Sequence, residues 1–368
     1  MSARRALTLL AVLLLPLLHS AHAAAPAPVD AGPKLPPPPP GMFAPPGRSI
    51  THVAGDLYRA NNGGWYVAVL VTPAGIVLVD TLNTDFAKWL KQALAERFPG
   101  KPVKYVIYSH SHWDHAEGGR VFADTATFIG QEGMLHNMDG RYPALPGDIV
   151  DRNKDGRLDI AEFEQPFLDR LWYCGSTRGA VTGKDTEHQG SITPAQFFAD
   201  IVKPDIVYSE RMTLRFGGKT LDLVFPGKNH ANDGTAVLFK EERVLFAVDF
   251  PADALVQASM RSLPSACGPF DGQPMAEWIR SYRTLEALDF DVLVGGHGTV
   301  AFQKQDIREG REYFEYLQQE VAGAMARGLS LAQMREQLTL ERYKNWAHYA
   351  QLRAYNIEAA YHNLSLYK

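Results

Sequence analysis

From about residue 50 onward the chain alternates short apolar runs with amphipathic ones. "WYVAVLV" (65–71) and "GIVLVD" (75–80) are rich in β-branched and aromatic residues and bounded by Gly and Pro, which predicts two strands. Between 84 and 98, Phe86, Trp89, Leu90, Ala93, Leu94 and Phe98 recur at helical spacing, with Thr84 as the expected N-cap. "VKYVIY" (103–108) predicts a further strand, and a short helix after Gly118-Gly119 leads into "TATFIG". Periodicity lapses from about 138 to 203. Strand signals resume in "DIVYSERMTLRF", "KTLDLVF", "TAVLFK" and "RVLFAVD", followed by a helix over about 274–288 and by "DVLVGGHG". The remainder is helical: Gly328 ends one helix, and Ser330 with Gln333 forms the capping box of the next. "GIVLVD" and "RVLFAVD" echo one another, each an apolar run delivering an aspartate, Asp80 or Asp249, at its C-terminal end. The pattern is that of a layered α/β chain.

Residues 1–47 stand outside it. Arg4 and Arg5, an apolar run from Ala6 to Leu18 and the small-x-small triplet Ala21-His22-Ala23 predict a cleaved signal peptide over 1–23, hence a periplasmic or secreted protein. Its removal takes the formal charge from −4 to −6. The run is short for a membrane span and no other segment approaches 18 apolar residues, so no stable membrane insertion is expected after processing. Residues 24–47 are Pro-rich and read as an extended linker. Beyond them, 46% apolar and 21% charged residues describe an ordinary globular chain. The absence of any Lys/Arg run excludes a nucleic-acid footprint. Cys174 and Cys267 are too far apart for a metal pair; export would permit a disulfide between them.

Two clusters carry chemistry. In the aperiodic stretch, "DRNKDGRLDIAE" (151–162) resembles an EF-hand loop. Asp151, Asn153 and Asp155 supply side-chain oxygens and Arg157 a backbone carbonyl. Asp159 acts directly or through water, and Glu162 closes the loop as a bidentate ligand. Gly156 permits the sharp turn and Leu158 takes the inward apolar position. A second, weaker copy follows at "DTEHQGSITPAQ", where Asp185, Glu187, Gln189, Ser191, Thr193 and Gln196 take the ligand places. It lacks the closing Glu, and its role is to bind calcium weakly or to serve as the structural partner of the first loop. The stretch over 140–203 is expected to be an insert held by calcium.

The other cluster is "HSHWDH". His110, His112, Asp114 and His115 fall within six residues just after an apolar strand, and on extended backbone His110 and His112 point the same way. His230 in "PGKNHANDG", Asp249 ending "VLFAVD" and His297 in "VGGHG" each follow a strand. Together they bring imidazole and carboxylate donors to one set of strand ends. Such donors suit zinc, and also iron or manganese.

This set resembles the metallo-β-lactamase superfamily over roughly residues 50–310. The resemblance implies an αββα sandwich over 48–310, interrupted by the EF-hand-like insert, which at this point of the superfamily fold would wall the substrate cleft, and followed by a C-terminal helical segment over 311–368. It implies a binuclear site with two zinc ions: His110, His112 and His230 on the first, Asp114, His115 and His297 on the second, and Asp249 bridging. A hydroxide held there would attack an ester, thioester, lactone or related bond of a small-molecule substrate. Asp114 would orient it and carry a proton to the leaving group, and Asp80 would support a ligating histidine. β-Lactamases of this fold carry Cys or Ser where this chain has Asp249, which argues for the general hydrolases. Diiron oxidoreductases have Glu where His112 stands. A mononuclear iron enzyme like the persulfide dioxygenases is the alternative from another reaction class, and a calcium-dependent binding protein with a relict metal site is a third. The alkylsulfatases are set aside, because about 60 residues after 305 are too few for their C-terminal extension. The last helices are expected to pack on the sandwich or to mediate a homodimer.

Overall fold

The computed structural model describes residues 47–138, 201–249, 255–257, 260–261, 273–297 and 301–367, all within one compact unit, Gly32–Lys368. The leader, the linker as far as residue 46, both calcium-loop sequences (Asp151, Asn153, Asp155, Arg157, Asp159, Glu162; Asp185, Glu187, Gln189, Ser191, Thr193, Gln196), Cys174 and Cys267 lie outside the described residues.

One sheet takes seven strands in chain order: β1 (Arg48–Ala54), β2 (Leu57–Asn62), β3 (Trp65–Thr72), β4 (Gly75–Val79), β5 (Val103–Ile107), β6 (Thr127–Gln131) and β7 (Ile206–Tyr208). Pairing is antiparallel from β1 to β4 and parallel from β4 to β7. The first parallel crossover carries helix α1 (Thr84–Arg97); the second carries the short α2 (Trp113–Ala116) and a 3-10 turn, Glu117–Phe122. Helix α3 (Gly133–Asn137) follows β6. The second sheet is built from β8 (Arg211–Phe216), β9 (Lys219–Val224), β10 (Ala236–Phe239) and β11 (Val244–Phe246). β12 (Leu255–Gln257) and β13 (Met260–Arg261) form a two-stranded sheet, and helix α4 (Met275–Glu286) leads to β14 (Val292–Val294) and β15 (Ala301–Phe302). The spatial order is β15-β14-β11-β10-β9-β8, with β11 and β14 parallel. Helices α5 (Lys304–Ala326), α6 (Leu331–Gln337) and α7 (Tyr349–Leu366) complete the chain.

Side-chain alternation explains the layering. β4 is buried along its whole length, which is why it reads as an unbroken apolar run. Ile76 and Leu78 pack against Phe86, Leu90 and Leu94 of α1, whereas Val77 and Val79 face Leu221, Val237, Phe239 and Phe246 of the other sheet. On β11 the partition repeats: Val244 and Phe246 face inward between the sheets, and Leu245 packs with Trp278, Tyr282, Phe314 and Tyr355 of α4, α5 and α7. Three apolar layers therefore separate helix, sheet, sheet and helices, the αββα sandwich. No helix among the described residues is long and apolar enough to cross a membrane.

The structure departs from the sequence expectations at several points. The run 205–216 is two strands rather than one. The chain leaves the first sheet after Tyr208 and enters the second at Arg211, anchored by Gln131 Nε2 donating to Ser209 O (2.9 Å) and Phe225 N to Glu210 O (2.9 Å). The N-cap of α1 is Asn83, whose Oδ1 accepts from Phe86 N at 2.9 Å. Thr84 is instead the first helical residue, and its hydroxyl donates to Glu117. Gly118 and Gly119 lie inside the 3-10 turn, not before a helix. The expected boundary at 310/311 falls within α5, which shares one core with α4 and α7, so the last helices pack on the sandwich.

Candidate metal centre

β5 ends at Ile107 and delivers Ser109 and His110 to the edge of the sheets. The chain then turns into α2, which carries Asp114 and His115. His230 lies in the loop between β9 and β10, Asp249 follows β11, and His297 follows β14. All seven side chains converge in two adjoining groups: His110, His112, His230 and Asp249 in one, Asp114, His115 and His297 in the other.

Asp249 faces both. Its Oδ2 lies 3.2 Å from His110 Nε2 and 3.0 Å from His230 Nε2. Its Oδ1 lies 2.7 Å from His297 Nε2 and 3.6 Å from His115 Nε2. His230 Nε2 is 3.1 Å from His112 Nδ1, and His115 Nε2 is 3.2 Å from His297 Nε2. His115 Nε2 is also 3.7 Å from Asp114 Oδ2.

The loop after β4 fixes this arrangement from behind. Asp80, fully buried, accepts from Ser109 N at 2.7 Å through Oδ1 and holds His115 Nδ1 at 3.0 Å through Oδ2. Thr81 N and Leu82 N both donate to His115 O, at 2.9 and 3.0 Å. With Nδ1 engaged, His115 turns Nε2 into the centre. A carboxylate behind a ligating imidazole fixes its tautomer and raises its basicity. Glycines allow the close approach: a Cβ on Gly296 would sit 2.4 Å from Val248 Cγ1 and 3.1 Å from His115 Cε1.

Burial and neighbouring charges set the protonation states. His112 is held well below the usual imidazole range by desolvation, with His110 and His230 disfavouring a further positive charge. Burial also opposes a charge on His115, but Asp249, Asp114 and the Asp80 hydrogen bond outweigh it and raise its pKa well above the ordinary value. Asp249 is pushed well below the carboxylate range although burial works against it, because His297, His230 and His115 surround it.

These residues fit a cation. His110 Nε2, Asp114 Oδ1 and Asp249 Oδ1 are buried without an aligned hydrogen bond, although His110 Nε2 and Asp249 Oδ1 each face an opposing side chain at 3.2 and 2.7 Å. Two imidazole nitrogens facing each other at 3.2 Å leave one lone pair opposed to another unless a proton or a metal intervenes. Imidazole and carboxylate donors are those of zinc, iron and manganese sites.

Residues that the sequence argument passed over support the site. Trp65 Nε1 donates to Asp114 Oδ2 at 3.3 Å. Asp233 Oδ2 accepts from Ser111 N at 3.0 Å, Asn137 Nδ2 donates to Ser111 Oγ at 3.1 Å, and burial raises the Asp233 carboxyl above its ordinary range. Asn229 ties the His230 loop to Gly227 O and Ser281 Oγ of α4 at 2.9 and 3.1 Å. Asn229 and Asp233 flank His230 in "NHAND", a cue that polar crowding in a ligand loop supplies. Trp65 had no such cue: it reads as the first residue of a core strand.

A sequence model of the Metallo-beta-lactamase superfamily matches residues 65–297, from Trp65 to His297. The chain belongs to the metallo-β-lactamase superfamily. Within the superfamily it is similar to the 2,4-dinitroanisole O-demethylase subunit alpha of Nocardioides sp. (strain JS1661), 24% identical over 261 residues, 71% of this chain and 60% of that one. It is 22% identical to the linear primary-alkylsulfatase of Pseudomonas sp. (strain ATCC 19151) over 288 residues, 74% of this chain and 49% of that one. The structure of the inverting sec-alkylsulfatase Pisa1 from Pseudomonas sp. superposes with a TM-score of 0.60 at 16% identity, covering 87% of this chain and 51% of that chain. This chain thus spans about half to three fifths of the length of these relatives. The alkylsulfatases set aside on length are thus among its homologues, over the shared superfamily domain. The match runs from Trp65 to His297, so all seven residues of the His/Asp cluster lie within the superfamily domain.

Proposed function

We propose that this chain is an exported hydrolase with two zinc ions, one in each histidine group, acting on an ester-type bond of a small molecule. The observation that carries the reading is Asp249, one carboxylate oxygen turned to each group. His110, His112 and His230 would hold one ion, Asp114, His115 and His297 the other, and Asp249 both. Zinc bound there would lower the pKa of water enough to supply hydroxide at neutral pH. Asp114 would orient the attacking water and pass a proton to the leaving group, a role supported by its burial and by an Oδ1 without a hydrogen-bond partner. The names of the relatives widen the substrate range beyond esters, thioesters and lactones to alkyl sulfate esters and activated aryl methyl ethers. The second group, Asp114, His115 and His297, favours two ions over a mononuclear iron oxygenase, and Asp249 in place of Cys or Ser weighs against a β-lactamase.

The same proposal includes calcium at Asp151–Glu162, with the loop at Asp185–Gln196 as its partner, and export by the leader. Outside the cell, calcium sites with dissociation constants of about 10⁻⁴–10⁻³ M suffice. A Glu162→Gln variant that melts like the parent in calcium would remove this part of the proposal.

The test is metal analysis of the purified protein with a panel of alkyl sulfates, aryl methyl ethers, esters, thioesters, lactones, phosphodiesters and β-lactams. Two zinc ions per chain and turnover of one class are expected. One iron per chain with oxygen uptake would establish the oxygenase instead.

A further inference from the structure

Trp65 touches two members of the second histidine group, and they come from different sheets. Its indole N–H donates to Asp114 Oδ2 at 3.3 Å. Its ring packs edge-on against His297, with centroids 5.5 Å apart and planes at 77°. The backbones join as well: Trp65 and His297 form an antiparallel bridge, and Tyr66 N donates to Gly296 O at 2.8 Å. Trp65 opens β3 in the seven-stranded sheet, whereas His297 follows β14 in the other. The indole therefore spans the mouth of the sandwich where the second group is assembled. His297 needs such a brace, since its side chain is 32% exposed while those of His115 and Asp114 are 0% and 10% exposed. Asp114 sits on a helix of one turn, which by itself does not fix the rotation of its carboxylate.

We infer that Trp65 is a positioning residue for the second metal position: its N–H fixes the Asp114 carboxylate and its ring fixes the His297 imidazole, so that it sets retention of the second ion without touching the first. This rests on the two-metal reading. Trp65 reaches the centre through Asp114 and His297, both of the second group, which is the basis of the asymmetry.

The experiment is a zinc titration of metal-free protein against a chromophoric chelator, with wild type, Trp65→Phe, Trp65→Leu, Asp114→Ala and the Trp65→Phe/Asp114→Ala double variant. Trp65→Phe keeps a ring against His297 and removes only the N–H; Trp65→Leu removes both. Loss of a hydrogen bond to a charged acceptor should weaken the second binding step by about 10-fold or more in Trp65→Phe, leaving the first step unchanged. Trp65→Leu should weaken it further. In the Asp114→Ala background, Trp65→Phe should add nothing, because its partner is gone. Circular dichroism and melting of the metal-free variants give the folding control. Unchanged affinity at both steps, or an equal loss at both, would overturn the inference while leaving the two-metal reading standing. Wild-type protein that binds a single zinc ion would overturn both.

Discussion

Asp80 and Asp249 grip the two nitrogens of one imidazole. Asp80 Oδ2 lies 3.0 Å from His115 Nδ1, and Asp249 Oδ1 lies 3.6 Å from His115 Nε2. The two aspartates hold equivalent places in the two sheets. Each follows an apolar strand, β4 or β11, that pairs in parallel with the strand leading to another ligand, β5 toward His110 or β14 toward His297. Each has left-handed backbone, with φ of 68° and 62°. Among non-glycine residues, Asp and Asn adopt that conformation most readily. The turn breaks the strand and brings the carboxylate back over its end.

Replacing Asp80 should separate tuning from folding. Asparagine tolerates the left-handed turn and can still accept from Ser109 N, but its other atom becomes an NH₂ facing His115 Nδ1. Asp80→Asn is expected to lower metal affinity by about 10–100-fold, with little change in the stability of the metal-free protein. Asp80→Ala should lose the same affinity and a further ~1–3 kcal/mol of stability, because Ser109 N is left buried without its acceptor. Chelator competition and urea denaturation of the metal-free proteins check the two effects. An Asp80→Asn variant with parental affinity would show that His115 needs no support from behind.

Metal removal should leave the sandwich folded but less stable. The three apolar layers do not depend on the seven ligands, so the chain should keep its secondary structure after chelation. Readdition of zinc to about 1,000 times its dissociation constant should stabilise by about 4 kcal/mol per site, read as a rise in melting temperature. A melting temperature indifferent to chelation and to zinc would contradict a metal centre here.

Gly296 should be intolerant of any side chain. The obstacle is space, not backbone conformation: a Cβ would meet Val248 Cβ at 2.8 Å as well as His115 Cε1. Gly296→Ala should cost about 1–3 kcal/mol by overpacking and also weaken metal binding, since relief requires moving His115 or the adjoining His297. Gly118→Ala makes the useful comparison. Its Cβ would meet Ala87 Cβ at 2.6 Å and Thr81 O at 2.7 Å, straining the loop that holds His115 O. Loss of stability without loss of metal affinity in Gly296→Ala would disprove the coupling.

The buried strands and the ligands were legible because each leaves a local mark. β4 is apolar throughout, β3 up to its last residue and β5 apart from Lys104, and the histidines cluster or follow strands. β1 and β2 left none: "RSITHVA" has no buried residue, and β2 buries Leu57 and Ala60 alone, out of step with strand alternation, so β2 depends on pairing with β3 and β1 on pairing with β2. The split of 205–216 was hidden because Tyr208 and Met212 are equally suited to either sheet, and only the crossing at Ser209–Glu210 divides them. Trp65 was invisible as a site residue for a related reason. Its partners, Asp114 and His297, lie 49 and 232 residues away in sequence, and only the closed sandwich brings them together.

The C-terminal helix contributes a cap across 88 residues of chain, and this gives a prediction confined to stability. Pro274 precedes α4 and has no side chain with which to cap it. Asn363 of α7, buried, does so instead: its Oδ1 accepts from Met275 N at 2.9 Å, and its Nδ2 donates to Gln273 O at 2.6 Å. Asn363→Ala leaves the first amide of α4 and the Gln273 carbonyl without that partner, and should cost about 1–3 kcal/mol. Asn363→Asp keeps the acceptor and improves the charge at a helix N-terminus, but loses the donor to Gln273, so an intermediate loss is expected. α4 packs beneath β11 and β14 through Trp278 and Tyr282, and its contact with the His230 loop, Asn229 to Ser281, lies more than a turn beyond the capped amide. Both variants should therefore shift the urea midpoint while zinc affinity stays at the parental value. A fall in zinc affinity matching the fall in stability would mean that α7 helps to shape the site rather than only to hold the sandwich.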